Sequence, residues 1–173
     1  MGVKMDKQLM KLYNNLSKTN NKIIESGQSA VPIAAFMVKR SEKPEVIICA
    51  IPMQGNNQKV IMRDMIKKIA VKIEDMIGYI VMIDSKMTIF TKDNEPKEVM
   101  DVVLRVAYTQ TEKFAQFVPY KDKVILTNKI QTMKGRQDTF DKWDVWNEGK
   151  TNEKIEEKYE EYKKQNPELY KGV

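Results

Sequence analysis

Three short groups of residues have the types and spacing to bind a ligand or a partner. The first is Gly55, Asn56 and Asn57, which stand between an apolar run and a helical pattern. Free backbone N–H groups at the start of a helix can bind an anion. The flanking residues lack both the phosphate loop and the dinucleotide fingerprint. We therefore favour an asparagine that caps the helix, and an anion or small-ligand contact is the alternative.

The second group is aromatic. Phe140, Trp143 and Trp146 fall within a short segment that is otherwise rich in charged residues. Large aromatic side chains are over-represented among the residues that dominate binding energy in protein interfaces. We predict that this group either packs on the domain or contacts a partner protein, and packing is the favoured interpretation.

The third group is basic. The net charge is +6, and the excess of lysine lies in the first half of the chain. Lysine side chains can bind phosphate groups without reading sequence, which makes a nucleic-acid-associated protein the first alternative function. Only four of the 30 basic residues are arginine, the residue favoured for bidentate recognition of phosphate and guanine, so nucleic acid is not the favoured partner. The lysines concerned are Lys4, Lys7, Lys11, Lys18 and Lys22 near the N-terminus, and the phosphate candidates Lys67, Lys68 and Lys72.

Several chemistries are excluded by composition. The chain has no histidine and a single cysteine, Cys49, which removes Ser-His-Asp catalysis, histidine-bearing zinc sites and iron–sulfur clusters. Asp138, Asp141 and Asp144 are regularly spaced, but the segment lacks the glycine and glutamate of a calcium loop. We therefore expect no metal and no cofactor. A histidine-free enzyme or small-ligand-binding domain is the second alternative function.

Length and patterning indicate one domain. The 173 residues suit a single α+β domain over residues 1–150, with a charged helix and tail appended at 151–173. No apolar run approaches the roughly 18 residues that span a bilayer, so we predict a cytoplasmic protein with no membrane partner. The bias toward Lys, Asn, Ile and Met is typical of an AT-rich coding genome, such as that of a low-GC bacterium, a phage or a virus.

Two helical patterns are predicted to cover the sheet. Apolar residues recur at helical spacing from 5 to 25, with a polar interruption at 18–21 and an end at Gly27. We favour packing of this helix on the protein's own sheet over a position on a membrane surface. A second, longer apolar stripe at residues 58–77 predicts a central helix. Residues 151–165 predict a charged helix with a narrow apolar stripe.

The strands are predicted from apolar runs and turn residues. Residues 33–38 and 46–53 form a hairpin, and both are apolar at successive positions, which indicates burial on both faces; Cys49 is then a small buried thiol. Residues 79–83 form a third strand, a turn follows at 84–86, and 87–91 form a fourth. Alternation over 102–108 indicates a strand with one wetter face. A meander through 114–118, a turn at 119–122 and a strand at 124–130 completes the sheet.

The predicted fold is therefore α+β. It comprises a single mixed, largely antiparallel sheet of five to six strands, with the N-terminal and long central helices on its faces and a charged C-terminal helix. In element order alone it is similar to the longin and roadblock scaffolds, which act as assembly modules. The leading functional hypothesis is a non-enzymatic protein-interaction or assembly module whose partner is another protein or a second copy of itself.

Overall fold

The computed structural model of the protein describes residues 5–28, 32–39, 42–50, 66, 69–70, 72–134 and 164–165, with the backbone alone at 86–90 and 134. Within these residues helix α1 (Lys7–Glu25) precedes seven strands of one sheet. The α+β class is confirmed, and the sheet has more strands than predicted. The strands are β1 (Ile33–Val38), β2 (Glu45–Ala50), β3 (Met76–Phe90), β4 (Pro96–Tyr108), β5 (Lys113–Lys121), β6 (Val124–Ile125) and β7 (Gln131–Lys134).

Both ends of α1 are set by local hydrogen bonds. The Asp6 carboxylate accepts from the backbone N–H groups of Gln8 and Leu9 at 2.9 and 3.0 Å, which satisfies two donors that have no partner within the helix. At the other end Gly27 has a φ of 82°, a left-handed conformation that side chains with a Cβ rarely adopt. The predicted helix and its termination at Gly27 are confirmed.

The sheet runs in the order β2-β1-β3-β4-β5-β6, and β7 also pairs with β5. Every pairing between described strands is antiparallel, so the largely antiparallel sheet is confirmed and no mixed pairing is found there. β2 and β3 run in the same direction because each is antiparallel to β1, which lies between them. The chain therefore crosses from the edge strand β2 past β1 to begin β3.

The sheet has a core on each face. On one face α1 packs through Leu9 and Tyr13 against residues of β1, β3 and β4, such as Ile80. On the opposite face buried Ile66 and Ala70 pack against alternate residues of the same strands. Two-sided burial is thus confirmed for β1 and for the middle of β3. The two cores explain why these strands are apolar at successive positions.

The turn predicted at residues 84–86 is wrong. β3 continues unbroken for 15 residues, and Asp84 and Ser85 pair with Val103 and Val102 of β4. The polar side chain is tolerated because the Tyr120 hydroxyl donates to Asp84 Oδ1 at 3.2 Å. β1 pairs with β3 only as far as Met82, so the far ends of β3 and β4 extend beyond β1 as a hairpin.

Three further predictions in the meander are corrected. Residues 102–108 are buried throughout, so β4 has no wet face in this part. The turn after β5 lies at Asp122 and Lys123, both with positive φ, rather than at 119–122. This two-residue geometry matches the right-handed twist of the flanking strands. The strand expected at 124–130 is divided by a short 3-10 helix, Thr127–Lys129, between β6 and β7.

Other predicted elements fall mainly outside the described residues. Of the central helix, only Ile66, Ile69, Ala70 and Lys72 are assigned as helical, and of the C-terminal helix only residues 164–165. The aromatic segment at 140–146 lies entirely outside the described part of the chain. The end predicted for the central helix at residue 77 is wrong, because residues 74–75 form a turn and β3 begins at Met76. The body of the central helix, the C-terminal helix and the division at residue 150 remain predictions.

Candidate interaction surface at the sheet edge

Strand β2 forms one edge of the sheet and exposes apolar side chains. Val46 is 40% exposed and Ile48 is 55% exposed, although both belong to an apolar run that predicts two-sided burial. That prediction is wrong for β2. Within the described residues β2 pairs with β1 alone, so its outer backbone edge has no partner strand there. We call β2 with this outer edge the β2 edge.

Val46 and Ile48 are exposed because α1 does not cover β2. Val46 and Ile48 lie opposite Met37 and Ala35 of β1, on the face that α1 covers. The apolar core beneath α1 draws its described residues from β1, β3 and β4 but none from β2. The outermost strand therefore projects beyond the helix, and this face of β2 is open to solvent.

The opposite face of β2 is partly covered. Ile47 and Cys49 pack against the core that contains Phe36 and Ile66. The Cys49 thiol is half-buried and free, so the expected fully buried thiol is not found. β2 is consequently anchored on one face and exposed on the other.

The other edge of the sheet is built differently. There β5 is flanked by the two-residue strand β6 and the four-residue strand β7. Very short edge strands are one of the ways in which natural proteins prevent edge-to-edge association. β2 has six residues, no lysine, and Glu45 as its single charged residue. Of the strands at the two ends of the sheet order, only β2 lacks this protection within the described residues.

A second site of interest is a buried polar cluster beneath α1, centred on Arg105 of β4. This side chain is 3% exposed and lies under the polar interruption of the α1 stripe. Its Nη2 donates to Oδ1 of Asn20 at 2.7 Å and also to Oδ1 of Asn21. Arg105 Nε has no hydrogen-bond partner among the described residues. Burial lowers the pKa of Arg105, because the charged form is desolvated.

The same cluster includes a chain of neutral groups. The Tyr13 hydroxyl donates to Oε1 of Gln116 at 2.7 Å, and Nε2 of Gln116 donates to Oγ1 of Thr132 at 3.2 Å. Burial raises the pKa of Tyr13, and the nearby positive charge of Arg105 opposes that shift without cancelling it. The bonds of Arg105 and Tyr13 join α1 to β4 and β5, and the bond between Gln116 and Thr132 joins β5 to β7. The cluster therefore fixes how the helix lies on the sheet.

A smaller polar contact lies at the β6 end of the sheet. Burial raises the pKa of Tyr120, and the negative charges of Asp84 and Asp101 act in the same direction. No group of carboxylates, histidines or cysteines among the described residues is arranged to hold a metal ion. This contact stabilises the long strand β3 at the position where the sequence predicted a turn.

No family model, curated protein or solved structure matches this chain. None of the helices in the described part of the chain is both long and apolar enough to cross a bilayer.

Most of the predicted site residues lie outside the part of the chain that the structure describes. Lys72 is helical and exposed. The other candidate residues lie outside the described residues and remain predictions: Gly55, Asn56 and Asn57 for an anion, Lys67 and Lys68 for phosphate, and Phe140, Trp143 and Trp146 for a partner.

Sequence reasoning missed both Ile48 and Arg105 as important positions. A signal for Arg105 was present, because a charged residue alternates with apolar ones in β4 while residues 18–21 interrupt the apolar stripe of α1. A charged residue in a buried strand and a polar interruption in the apolar stripe of a helix can form hydrogen bonds with each other. For Ile48 no local signal exists, since an apolar run has the same composition at the centre and at the edge of a sheet.

Proposed function

We propose that the protein is a non-enzymatic protein-interaction or assembly module that binds its partner through the β2 edge. The observation that carries the proposal is the 55% exposure of Ile48 on a strand whose outer edge pairs with no other described strand. An edge strand offers a row of backbone donors and acceptors to another chain, and its side chains add specificity.

The contrast between the two sheet edges supports this proposal. An exposed apolar edge strand with little charge favours association, and natural proteins usually prevent it with lysine, proline, bulges or very short strands. The β5 side has very short strands, whereas β2 combines a full-length strand with exposed Val46 and Ile48. A surface of this kind is expected to be covered by a partner when the protein acts.

The test compares two substitutions that each replace an exposed valine or isoleucine by lysine. Ile48→Lys puts a charge on the β2 edge, and Val99→Lys puts one on β4, where Val99 is 61% exposed. Tagged wild-type and variant chains are expressed in the source organism, together with a differently tagged wild-type copy. Co-purifying proteins, including the second copy, are then quantified by mass spectrometry.

We expect Ile48→Lys to lose a partner that Val99→Lys retains, because only the first variant alters the β2 edge. Circular dichroism of both purified variants checks that the fold is intact. If the wild-type chain retains no protein, or if Ile48→Lys and Val99→Lys retain the same proteins in the same amounts, the β2 edge is not a protein-binding surface.

A second function is supported by α1. Lys7, Lys11, Lys18 and Lys22 are all exposed, and their spacing puts them on one stripe of the helix, away from the buried face. This lysine ridge extends over most of a helix about 28 Å long. A ridge of positive charge of this length fits non-specific contact with the phosphates of a nucleic acid.

Binding to unrelated DNA and RNA fragments at several salt concentrations tests the second function. Four phosphate contacts predict a slope of about −3 to −4 in a plot of log affinity against log salt. Reversing charge at Lys11 and Lys18 should weaken binding, and the same change at exposed Lys121 and Lys129 serves as the control. Absence of binding at low salt, or equal effects of both pairs, would exclude the lysine ridge.

A further inference from the structure

We propose that the partner at the β2 edge is a second copy of this chain, paired antiparallel with β2 in a register centred on Ile48. The inference rests on the proposed function and names its partner. A two-fold axis perpendicular to the sheet relates the copies, so that the two sheets become one continuous sheet.

The charge of the strand is compatible with self-pairing. Glu45 is its single charged residue and stands at its first position. In an antiparallel pair centred on Ile48 the two Glu45 carboxylates lie at opposite ends, about 20 Å apart at 3.3 Å per residue. This distance exceeds the Debye length at physiological salt, so the like charges have little effect on each other. A dimer of β2 therefore brings no repelling pair together.

The two faces of β2 restrict the register. A two-fold axis perpendicular to the sheet keeps each face on its own side, so residues that lie opposite each other must come from the same face. Val46, Ile48 and Ala50 share the exposed face, and Ile47 and Cys49 share the partly buried one. Pairings that set an exposed residue opposite a partly buried one are excluded, because a shift by one residue inverts the face of every side chain.

Two prolines select among the remaining registers. Pro44 and Pro52 stand at equal distances before and after Ile48 in the sequence. Proline has no N–H group to donate to a ladder and is confined to strand ends and edges. Centring the pair on Ile48 sets Pro44 opposite Pro52, outside β2. Centring it on Ile47 sets Pro44 opposite Ala50, and centring it on Cys49 sets Pro52 opposite Val46, so each of these registers brings a proline opposite a residue of β2.

The register also matches side-chain sizes on the exposed face. It sets Val46 of each copy opposite Ala50 of the other, and Ile48 opposite Ile48 at the centre. Directly opposite apolar side chains are in contact across antiparallel strands. Ile48, the most exposed large apolar side chain of β2, is thus covered by its copy at the middle of the pair, which accounts for the absence of charged residues from 46 to 50.

The first test is the mass of the purified full chain by size exclusion with light scattering. We expect a dimer for the wild type and for Val99→Lys, and a monomer for Ile48→Lys. The Ile48→Lys variant sets two lysines directly opposite each other, which should weaken the dimer on the order of 100-fold or more. Ile48 is half exposed, so the variant should fold, and circular dichroism checks that it does.

The second test is disulfide formation under mild oxidation in a Cys49→Ala background. Ile48→Cys places two thiols directly opposite each other, with Cα atoms about 4.5–5.5 Å apart, within reach of a disulfide. Val46→Cys places each thiol about 13 Å from its copy, beyond that reach. We expect a cross-linked dimer from Ile48→Cys and none from Val46→Cys.

The outcomes separate this inference from the proposed function. A wild-type monomer at tens of micromolar, or a dimer that persists in Ile48→Lys, overturns the inference. Equal cross-linking of Ile48→Cys and Val46→Cys overturns the register. If the chain is monomeric but binds a different protein that Ile48→Lys releases, the second copy is wrong while the β2 edge remains the interaction surface.

Discussion

Replacing Asn20 by alanine should destabilise the protein because it leaves a buried charge with fewer partners. Asn20 is 6% exposed, and its Oδ1 accepts from Nη2 of Arg105, which is itself 3% exposed. A hydrogen bond to a charged group contributes about 1.5–3 kcal/mol, more than a neutral one. We expect Asn20→Ala to lower the free energy of unfolding by about 2–3 kcal/mol.

The same change should have little effect once the charge is removed. Arg105→Met replaces the buried guanidinium by an apolar side chain, a substitution that is often neutral or stabilising by itself. In this background the Asn20 amide has lost its charged partner, and Asn20→Ala then costs less than about 1 kcal/mol. The double-mutant cycle should give a coupling energy of about 2 kcal/mol between Asn20 and Arg105.

The assay is urea denaturation followed by far-UV circular dichroism for the wild type, the two single variants and the double variant. Equal slopes for all four proteins would justify comparing their free energies of unfolding. Asn14→Ala, at an exposed position of α1, measures the gain in helix propensity from an Asn-to-Ala change, and this gain is subtracted. A coupling energy below about 0.5 kcal/mol would refute the claim that Asn20 holds the charge of Arg105.

Three further predictions concern the backbone and pH. A Cβ on Gly78 would lie 2.4 Å from the Tyr108 carbonyl oxygen and 2.6 Å from Leu9 Cδ2. Gly78→Ala should therefore lower the free energy of unfolding by about 3 kcal/mol. Unchanged urea denaturation of this variant would contradict the close packing at Gly78. Lys123 has a φ of 68° in a tight turn, a backbone conformation that is strained for a residue with a Cβ. Lys123→Gly should therefore raise the free energy of unfolding by about 1 kcal/mol and raise the melting temperature. A lower melting temperature would contradict backbone strain at Lys123. The pKa of Tyr13 is raised in the folded state, so its contribution to stability is complete below the ordinary tyrosine pKa of 10.0 and is lost as the pH rises above that value. Tyr13→Phe should therefore make the loss of stability above about pH 10 less steep, and an identical pH profile for both proteins would exclude burial of the phenol.

Much of the fold could be predicted because its signals are local. The spacing of apolar residues specified α1, and glycine at position 27 specified its end. The alternation of turn residues and apolar runs specified β1 and the β4–β5 meander. The turn at 84–86 failed because Asp84 finds a hydrogen-bond donor in Tyr120, which is distant in sequence. Polar residues favour a turn only where no such partner is available.

The candidate site could not be predicted because it depends on the order of strands. The run at 46–50 is as apolar as that of β1, yet β1 lies inside the sheet and β2 at its edge. Hydrophobic patterning reports how far a residue prefers burial, and it does not report which neighbour supplies that burial. The meeting of Arg105 with Asn20 likewise depends on how α1 lies across the sheet, a property that neither segment contains by itself.

The position of β1 between β2 and β3 has a consequence for the order of folding. β3, β4 and β5 pair with neighbours in sequence, whereas β1 must wait for residues 76–82 to complete its ladder. Contacts between nearby segments form faster, because closing a short loop loses less entropy. Both apolar cores include side chains of β3, Tyr79 on one face and Ile80 on the other. During synthesis, α1 and the hairpin of β1 and β2 therefore emerge before either core can be completed, and they lack the side chains that β3 contributes until β3 leaves the ribosome.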